Sequence, residues 1–599
     1  MLHIHGQATE RPACIPTMAS FQSKECIMSK KKVADIIVDA LQSAGVERCY
    51  GIVGDTLNHV TDAIRRSRIQ WVHMRHEEVG AFAAGGESYI TGRLTACAGS
   101  CGPGSLHFIN GLYESHRNRA PVVLIASQVA TSEMGIEFPQ NVDFMPLFQH
   151  CSVYCETLIN PHQARRMATL AAQTALAKRG VAVLIVPGDI SAIEVEDQPA
   201  FQVHLAQPVV HPSLIDLDRI AGLLNQGKKI AVYAGAGCEG AHDEIVMLCE
   251  RLHAPMAHTS RAKDFVEYDN PYNVGMTGIF GGSAGYKALM ECDTLLLLGA
   301  DFAWQQFYPE QSTIIQIDID PSHLGRRHPI TFGAVGDIRA TLDELLPAVR
   351  HHDDRSFLDA CLKEYDHVQT RLRHEERAGK DGLIHPQQLA MLIDRYADDN
   401  AIFTADGGSP MVWLLRHVKT NGSRRTLLSL IHGTMANAMP QALGIKKALP
   451  HRQVIALCGD GGLTMLLGDL ITAIQEDIAI KIVVFNNGTL SFVELEQKVE
   501  GLLDTYTELK NPDFAKLAEV IGFYSMRVEH NENLESAVEA FLSHPGPALL
   551  DVTTNRMELV MPPKIEPTYV YSTALSSLKS IVHGRASDVV ELLENNFLR

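Results

Sequence analysis

The apolar run Val454-Ile455-Ala456-Leu457 ends in Cys458-Gly459-Asp460-Gly461-Gly462, and the apolar run Ile480–Phe485 ends in Asn486-Asn487. Between them the pattern predicts a helix from Leu463 to about Gln475. Strand, helix, strand is a βαβ unit, in which both strands finish at the same edge of a parallel sheet. Ligands of open α/β sheets bind at that edge. The glycines let backbone N–H groups approach phosphate oxygens, and the helix start adds partial positive charge. Asp460 and Asn487 then bring a carboxylate and an amide oxygen to one point, a set that suits Mg2+ once phosphate and water oxygens complete it. Gly-Asp-Gly alone also fits a plain tight turn. The matching Asn-Asn at the next strand end favours the metal reading.

The alternation of apolar strands and amphipathic helices occurs three times, predicting an α/β protein of three doubly wound parallel-sheet domains. The first block spans 28–190, with strands Cys49–Val53, Leu94–Ala98, Val122–Ala126 and Ala182–Val186. The second spans 205–346, with strands Ile230–Ala234, Thr294–Leu298 and Ile314–Ile319. A polar stretch, His351–Asp381, joins it to the third, 382–556, with strands Ile402–Ala405, Val454–Leu457, Ile480–Phe485 and Ala548–Val552. Residues 1–27 show no periodicity and no apolar signal core, so they are expected to be a disordered extension. From 562 to 599 strands no longer alternate with helices. Apolar residues recur there at helical spacing (Ala574, Leu575, Leu578, Val582), which fits either a helix docked on the protein or one lying in a membrane surface.

A formal net charge of -18 argues against nucleic acid as a partner. The 12 cysteines form no CxxC pair and sit among apolar segments, as reduced core thiols do. In the first block, Trp71–Met74 runs into Arg75-His76-Glu77-Glu78 and then a helix of small residues. A carboxylate at such a strand end is either solvated or partly buried, and burial would raise its pKa.

Gly459-Asp460-Gly461-Gly462 through Asn487 resembles the signature of thiamine diphosphate enzymes. The resemblance implies Mg2+ ligands at Asp460, Asn487 and the carbonyl of Thr489. His432-Gly433-Thr434-Met435-Ala436 resembles the segment that cradles this cofactor, with Met435 wedged between its rings. Glu77 matches the glutamate that hydrogen-bonds the aminopyrimidine, and Gly99–Gly104 matches the loop packed on that ring. Because the family places the glutamate and the diphosphate on different chains, at least a dimer is implied, and a tetramer is expected.

Within the family, the chain from Met28 onward is most similar to quinone-dependent pyruvate oxidases. Glu267–Tyr272, Val274–Gly278 and Asn595–Arg599 carry that likeness. It implies FAD in the middle domain, touching Thr277, Gly278, Ile279, Phe280, Asp301 and Asp318. It places Leu490, Ser491 and Val493 beside the thiamine cofactor, Phe492 between it and the flavin, and Glu496 and Gln140 near the substrate. It further implies pyruvate as substrate, ubiquinone as acceptor, and a cytoplasmic protein held on the inner membrane face through its C-terminal tail. Pro139 stands where the oxidases have phenylalanine, a departure beside the expected substrate pocket. The alternative is an acetolactate synthase. Such an enzyme is expected to carry a tryptophan just downstream of Glu496, and Trp71, Trp304 and Trp413 all lie elsewhere.

Overall fold

The structure, a computed structural model, describes residues 30–197, 203–205, 208–376, 382–556 and 558. The expected extension (1–27) and tail (562–599) lie outside the described residues. Three six-stranded sheets, each parallel throughout, organise the rest.

The first sheet runs Gln70–His73, Arg48–Gly51, Thr95–Gly99, Val122–Gln128, Val181–Pro187, Tyr154–Thr157. The third runs Arg425–Leu428, Ile402–Ala405, Val454–Gly459, Lys481–Asn486, Ala548–Thr553, Tyr524–Val528. Numbered within each domain, both follow the order 2-1-3-4-6-5. The middle sheet runs Asn273–Met276, Met256–His258, Ile230–Ala234, Thr294–Leu298, Thr313–Asp318, Phe332–Val335. Its order, 3-2-1-4-5-6, is that of dinucleotide-binding Rossmann sheets. The strands missing from the sequence expectation, such as Tyr154–Thr157 and Tyr524–Val528, are mostly short or lie at sheet edges, where half-exposed residues dilute the apolar signal.

Equivalent helices of the outer domains pack on each other. Glu77–Thr91 follows the second strand of the first domain, and Ala438–Ala448 follows the second strand of the third. Their backbones approach so closely that a Cβ on Gly444 would lie 1.9 Å from the Ala83 carbonyl oxygen. A Cβ on Gly86 would lie 2.8 Å from that of Gln441. One buried apolar cluster therefore runs through both domains, from Phe82 and Ala83 to Ala442 and Leu443.

Two local expectations are corrected. The helix expected from Leu463 to Gln475 is two helices, Asp460–Met465 and Leu470–Gln475, around a tight turn at Leu467–Asp469. Gly468 weakens the helix there, and the Asp469 carboxylate accepts bonds from Thr472 Oγ1 (2.7 Å) and the Arg75 N–H (2.8 Å). The polar joining stretch contains a helix, Ser356–Glu375, whose Phe357, Leu358, Cys361, Val368 and Leu372 are buried. Among the described residues ten cysteines are free thiols, nine of them buried, as the sequence predicts. No helix among those residues is long and apolar enough to cross a membrane.

Candidate active site

In the third sheet the strand order reverses between Ile402–Ala405 and Val454–Gly459, and the crevice beyond such a reversal is the ligand position of open α/β sheets. Asp406 and Asp460 follow these two strands. Asp406 is buried, and its carboxylate accepts the N–H groups of Ala438 (2.9 Å) and Gly459 (3.1 Å). Burial pushes its pKa up to about 7. It thereby ties the end of the metal-loop strand to the helix behind the 432–436 segment. A Cβ on Gly462 would lie 2.3 Å from Asp406 Oδ2, so this position has room only for glycine.

Asp460 is buried, which raises its pKa. Its Oδ1 accepts the Gly461 N–H (2.8 Å), and Oδ2 accepts the Gly488 N–H (2.7 Å) and Asn511 Nδ2 (2.8 Å). A divalent cation beside it would favour the charged form. The two asparagines have different surroundings. Asn486 donates to Asp551 Oδ1 (2.9 Å) and accepts from Asn511 Nδ2 (3.0 Å), so it is spent on the scaffold. Asn487 Oδ1 takes only the local Thr489 N–H (3.1 Å), which leaves acceptor capacity for a metal. Thr489 is fixed by its Oγ1 bond to Glu494 (2.7 Å), a buried carboxylate that also pairs with Lys498 (2.6 Å).

The Met435 methyl, Leu490 Cδ2 and Leu509 Cδ1 surround Gly461, lying 3.3, 3.0 and 3.2 Å from where its Cβ would be. Sequence-distant Met435 and Leu490 thus meet over the diphosphate loop. Gly433 has φ +73°, and the Thr434 N–H donates to Ser429 Oγ (2.9 Å). Ser491 opens the helix Ser491–Val499 and donates to Ser409 Oγ (3.2 Å), while the Val493 and Glu496 side chains are exposed. Oxygen donors, a glycine cradle and an apolar rim fit thiamine diphosphate with Mg2+.

Glu77 opens the helix Glu77–Thr91 and is 9% exposed. Its Oε2 accepts from His107 Nδ1 at 3.0 Å, and its Oε1 lies 3.7 Å from the Cβ position of Gly104. The carboxylate therefore faces the Gly99–Gly104 loop. Gln140, at φ +65°, packs on the same loop: its Cβ is 2.9 Å from the Cβ position of Gly102, and its Oε1 accepts from Cys101 Sγ (3.3 Å). Glu78 binds Asn110 Nδ2 (2.7 Å), which also reaches Thr434 Oγ1 (3.2 Å). The Asn110 amide oxygen accepts from His432 Nε2 (2.8 Å). Among the described residues, the bonds of Glu77 do not reach Asp460 or Asn487 of its own chain.

In the middle sheet the order reverses between Ile230–Ala234 and Thr294–Leu298. Gly237 and Gly299 meet just beyond, 2.6 to 2.8 Å from each other's Cβ positions, and the sequence reading missed this loop pair. Ala234-Gly235-Ala236-Gly237 was the available signal. Thr277 Oγ1 and Thr259 Oγ1 are buried without partners near the carboxyl edge. Asp301 is held by Arg326 and Arg327, and Asp318 by His323 (3.0 Å), so both expected flavin contacts already have protein partners. Gly278 (φ +100°) and Ile279 lead to Phe280, whose ring meets Phe492 edge to face. The paired glycines and unpartnered hydroxyls suit a dinucleotide with polar edges. Asp406, Asn110, Glu494 and Asn511 were also missed, because isolated polar residues carry no spacing signal.

An oxygen-rich loop at one switch point and a buried glutamate at the end of a sister sheet are the arrangement that would suit an α/β enzyme holding a diphosphate and a metal ion. The chain belongs to the thiamine pyrophosphate enzyme family. It matches that family's N-terminal TPP binding domain over residues 31–147, its central domain over 217–345, and its C-terminal TPP binding domain over 406–552. A Bacillus subtilis protein named as thiamine pyrophosphate-containing, YdaP, is 33% identical over 532 residues, covering 88% of this chain and 92% of that protein. A pyruvate oxidase of Lactiplantibacillus plantarum is 29% identical over 542 residues, covering 88% and 90%. The large subunit of acetolactate synthase isozyme 2 from Escherichia coli is 29% identical over 542 residues, covering 88% and 96%.

Proposed function

We propose that this enzyme oxidatively decarboxylates pyruvate to acetate and CO2, with electrons passing through FAD to ubiquinone. The observation that carries this reading is the contact of Phe492, just past the metal loop, with Phe280 on the loop at the carboxyl edge of the Rossmann-ordered sheet. When bound, thiamine diphosphate supplies the nucleophilic carbon and electron sink for decarboxylation, and FAD supplies a two-electron acceptor. Asp460, Asn487 and the Thr489 carbonyl hold Mg2+. Gly433, Thr434 and Met435 seat the thiamine rings, and Glu77 holds a proton at the pyrimidine edge. Thr277–Phe280 line the flavin site, and Gln140 and Glu496 face the substrate. The apolar walls formed by Met435, Leu490 and Phe492 exclude water and favour loss of the carboxylate charge.

A second chain supplies the glutamate of each site in this reading. Ile136 and Phe138, on the segment carrying Gln140, and Met465, after the metal loop, are exposed apolar side chains that a partner would cover. The tail at 562–599 would bring the protein to the phospholipid surface where ubiquinone resides; this part of the reading rests on the resemblance to quinone-dependent pyruvate oxidases, since the apolar stripe alone also fits a helix docked on the protein.

The synthase reading has support of its own, since the Escherichia coli acetolactate synthase subunit is as similar as the oxidase. Purified protein given pyruvate and an artificial electron acceptor separates the two. Acceptor reduction with acetate supports the oxidase. Acetolactate formed without acceptor reduction replaces it with the synthase.

A further inference from the structure

We infer that His107 is a positioning residue for Glu77, which rests on the reading of Glu77 as the contact for the pyrimidine ring. Its Nδ1 lies 3.0 Å from Glu77 Oε2, and no other ion pair to Glu77 occurs among the described residues. His107 follows the short helix Pro103–Leu106, so it belongs to the loop that covers the pyrimidine position. Its ring stacks on His76, with centroids 4.8 Å apart and planes 21° from parallel. His76 is fixed in turn. Its Nδ1 accepts the Glu78 N–H (3.2 Å), capping the helix that Glu77 opens. One residue earlier, the Arg75 N–H is held by Asp469 of the third domain (2.8 Å).

The arrangement distinguishes the two carboxylate oxygens. Oε2 receives the His107 N–H, and Oε1 faces the Gly104 side of the loop. The last torsion of a glutamate is broad and roughly two-fold, so an unrestrained carboxyl would sample many angles. The His107 bond selects one and leaves Oε1 aimed at the ring position. Preorganisation of this kind lowers the ordering cost of a proton-transferring group.

His76, Glu77 and His107 offer ligand atoms within 4.8 Å of one another, yet the group does not make a metal centre. Nearly parallel rings send their in-plane lone pairs past each other, and His76 Nδ1 is already an acceptor.

The test uses the holoenzyme loaded with thiamine diphosphate and Mg2+. Two quantities are measured: cofactor affinity by tryptophan fluorescence, and proton–deuterium exchange at the reactive carbon of the bound cofactor. His107→Phe keeps an aromatic ring over His76 but removes the donor, and His107→Asn restores a donor. The inference predicts that His107→Phe slows exchange about tenfold or more, that His107→Asn recovers part of the loss, and that affinity changes less than about threefold. Unchanged exchange in His107→Phe overturns it. So does an equal loss in both variants, which would mark a purely structural role. Thermal melts accompany each variant, and His107→Leu, which also lacks a donor, replaces the phenylalanine variant if that one unfolds. Glu77→Gln is measured in parallel. If it exchanges normally, the reading of Glu77 itself fails; if it is slow while His107→Phe is normal, only the inference about His107 fails.

Discussion

Phe280 and Phe492 meet edge to face with ring centroids 6.2 Å apart and planes at 86°, although 212 positions of chain separate them. Phe280 ends the loop after the strand Asn273–Met276, and Phe492 stands in the first turn of the helix after the metal loop. The backbone backs this contact, since Arg416 of the third domain donates to the Phe280 carbonyl (3.0 Å). This aromatic pair is therefore one of the contacts that join the middle domain to the third. Such a pair contributes about 0.5–1.5 kcal/mol beyond its buried area.

Phe492→Ala removes that contact without touching Asp460, Asn487 or Glu77. We expect flavin reduction by pyruvate, followed by stopped-flow absorbance, to slow roughly tenfold or more. Affinity for thiamine diphosphate should stay within about twofold, because the diphosphate and metal contacts are intact. An unchanged reduction rate would remove Phe492 from the path between the two sites.

The adjacent asparagines give opposite expectations. Asn486 bridges Asp551 and Asn511, so Asn486→Ala should lower the melting temperature through a loss of about 1–3 kcal/mol. Asn487 has only a local backbone partner, so Asn487→Ala should leave the melting temperature nearly unchanged. It should instead raise the Mg2+ concentration needed for half-maximal thiamine diphosphate binding by about tenfold or more. Calorimetric melts and Mg2+ titrations of the two variants would show whether the effects divide this way.

Glu114 carries the pH expectation. It is buried between the outer domains, accepting from Ser429 Oγ (2.6 Å) and Asn118 Nδ2 (2.6 Å), and burial pushes its pKa up to about 6 from 4.5. The folded protein thus holds this proton more tightly than the unfolded chain does. Its contribution is fully present below pH 4.5 and is lost as pH rises through about 6, on the order of 2 kcal/mol. Glu114→Gln should flatten that part of the stability profile, checked by urea midpoints at pH about 4 and about 7. An identical slope in both proteins would refute the assignment.

The fold was legible where period and punctuation agree. Three runs of buried strands separated by helices give three parallel sheets, and strands such as Ile230–Ala234 and Thr294–Leu298 match to the residue. Asp460, Asn487 and Thr489 gather at one strand edge because a βαβ unit brings its strand ends together. The packing of Gly444 on Ala83 was not legible, since a glycine in a helix gives no sign of which backbone approaches it. Nor was the bond between Asp469 and Arg75, which broke the expected long helix. Contacts between distant segments leave no local period. Glu77 needed the resemblance to be singled out, and its burial against the Gly99–Gly104 loop gives that choice a physical basis.

The central claim is that pyruvate reduces a flavin in this protein through the thiamine site. The direct measurement is the visible absorption spectrum of the purified protein, kept free of oxygen, before and after pyruvate is added. The account predicts a flavin band that bleaches with pyruvate and persists in Glu77→Gln. A flavin band unchanged by pyruvate while acetolactate accumulates, or no flavin band in protein that still turns over pyruvate, would contradict it.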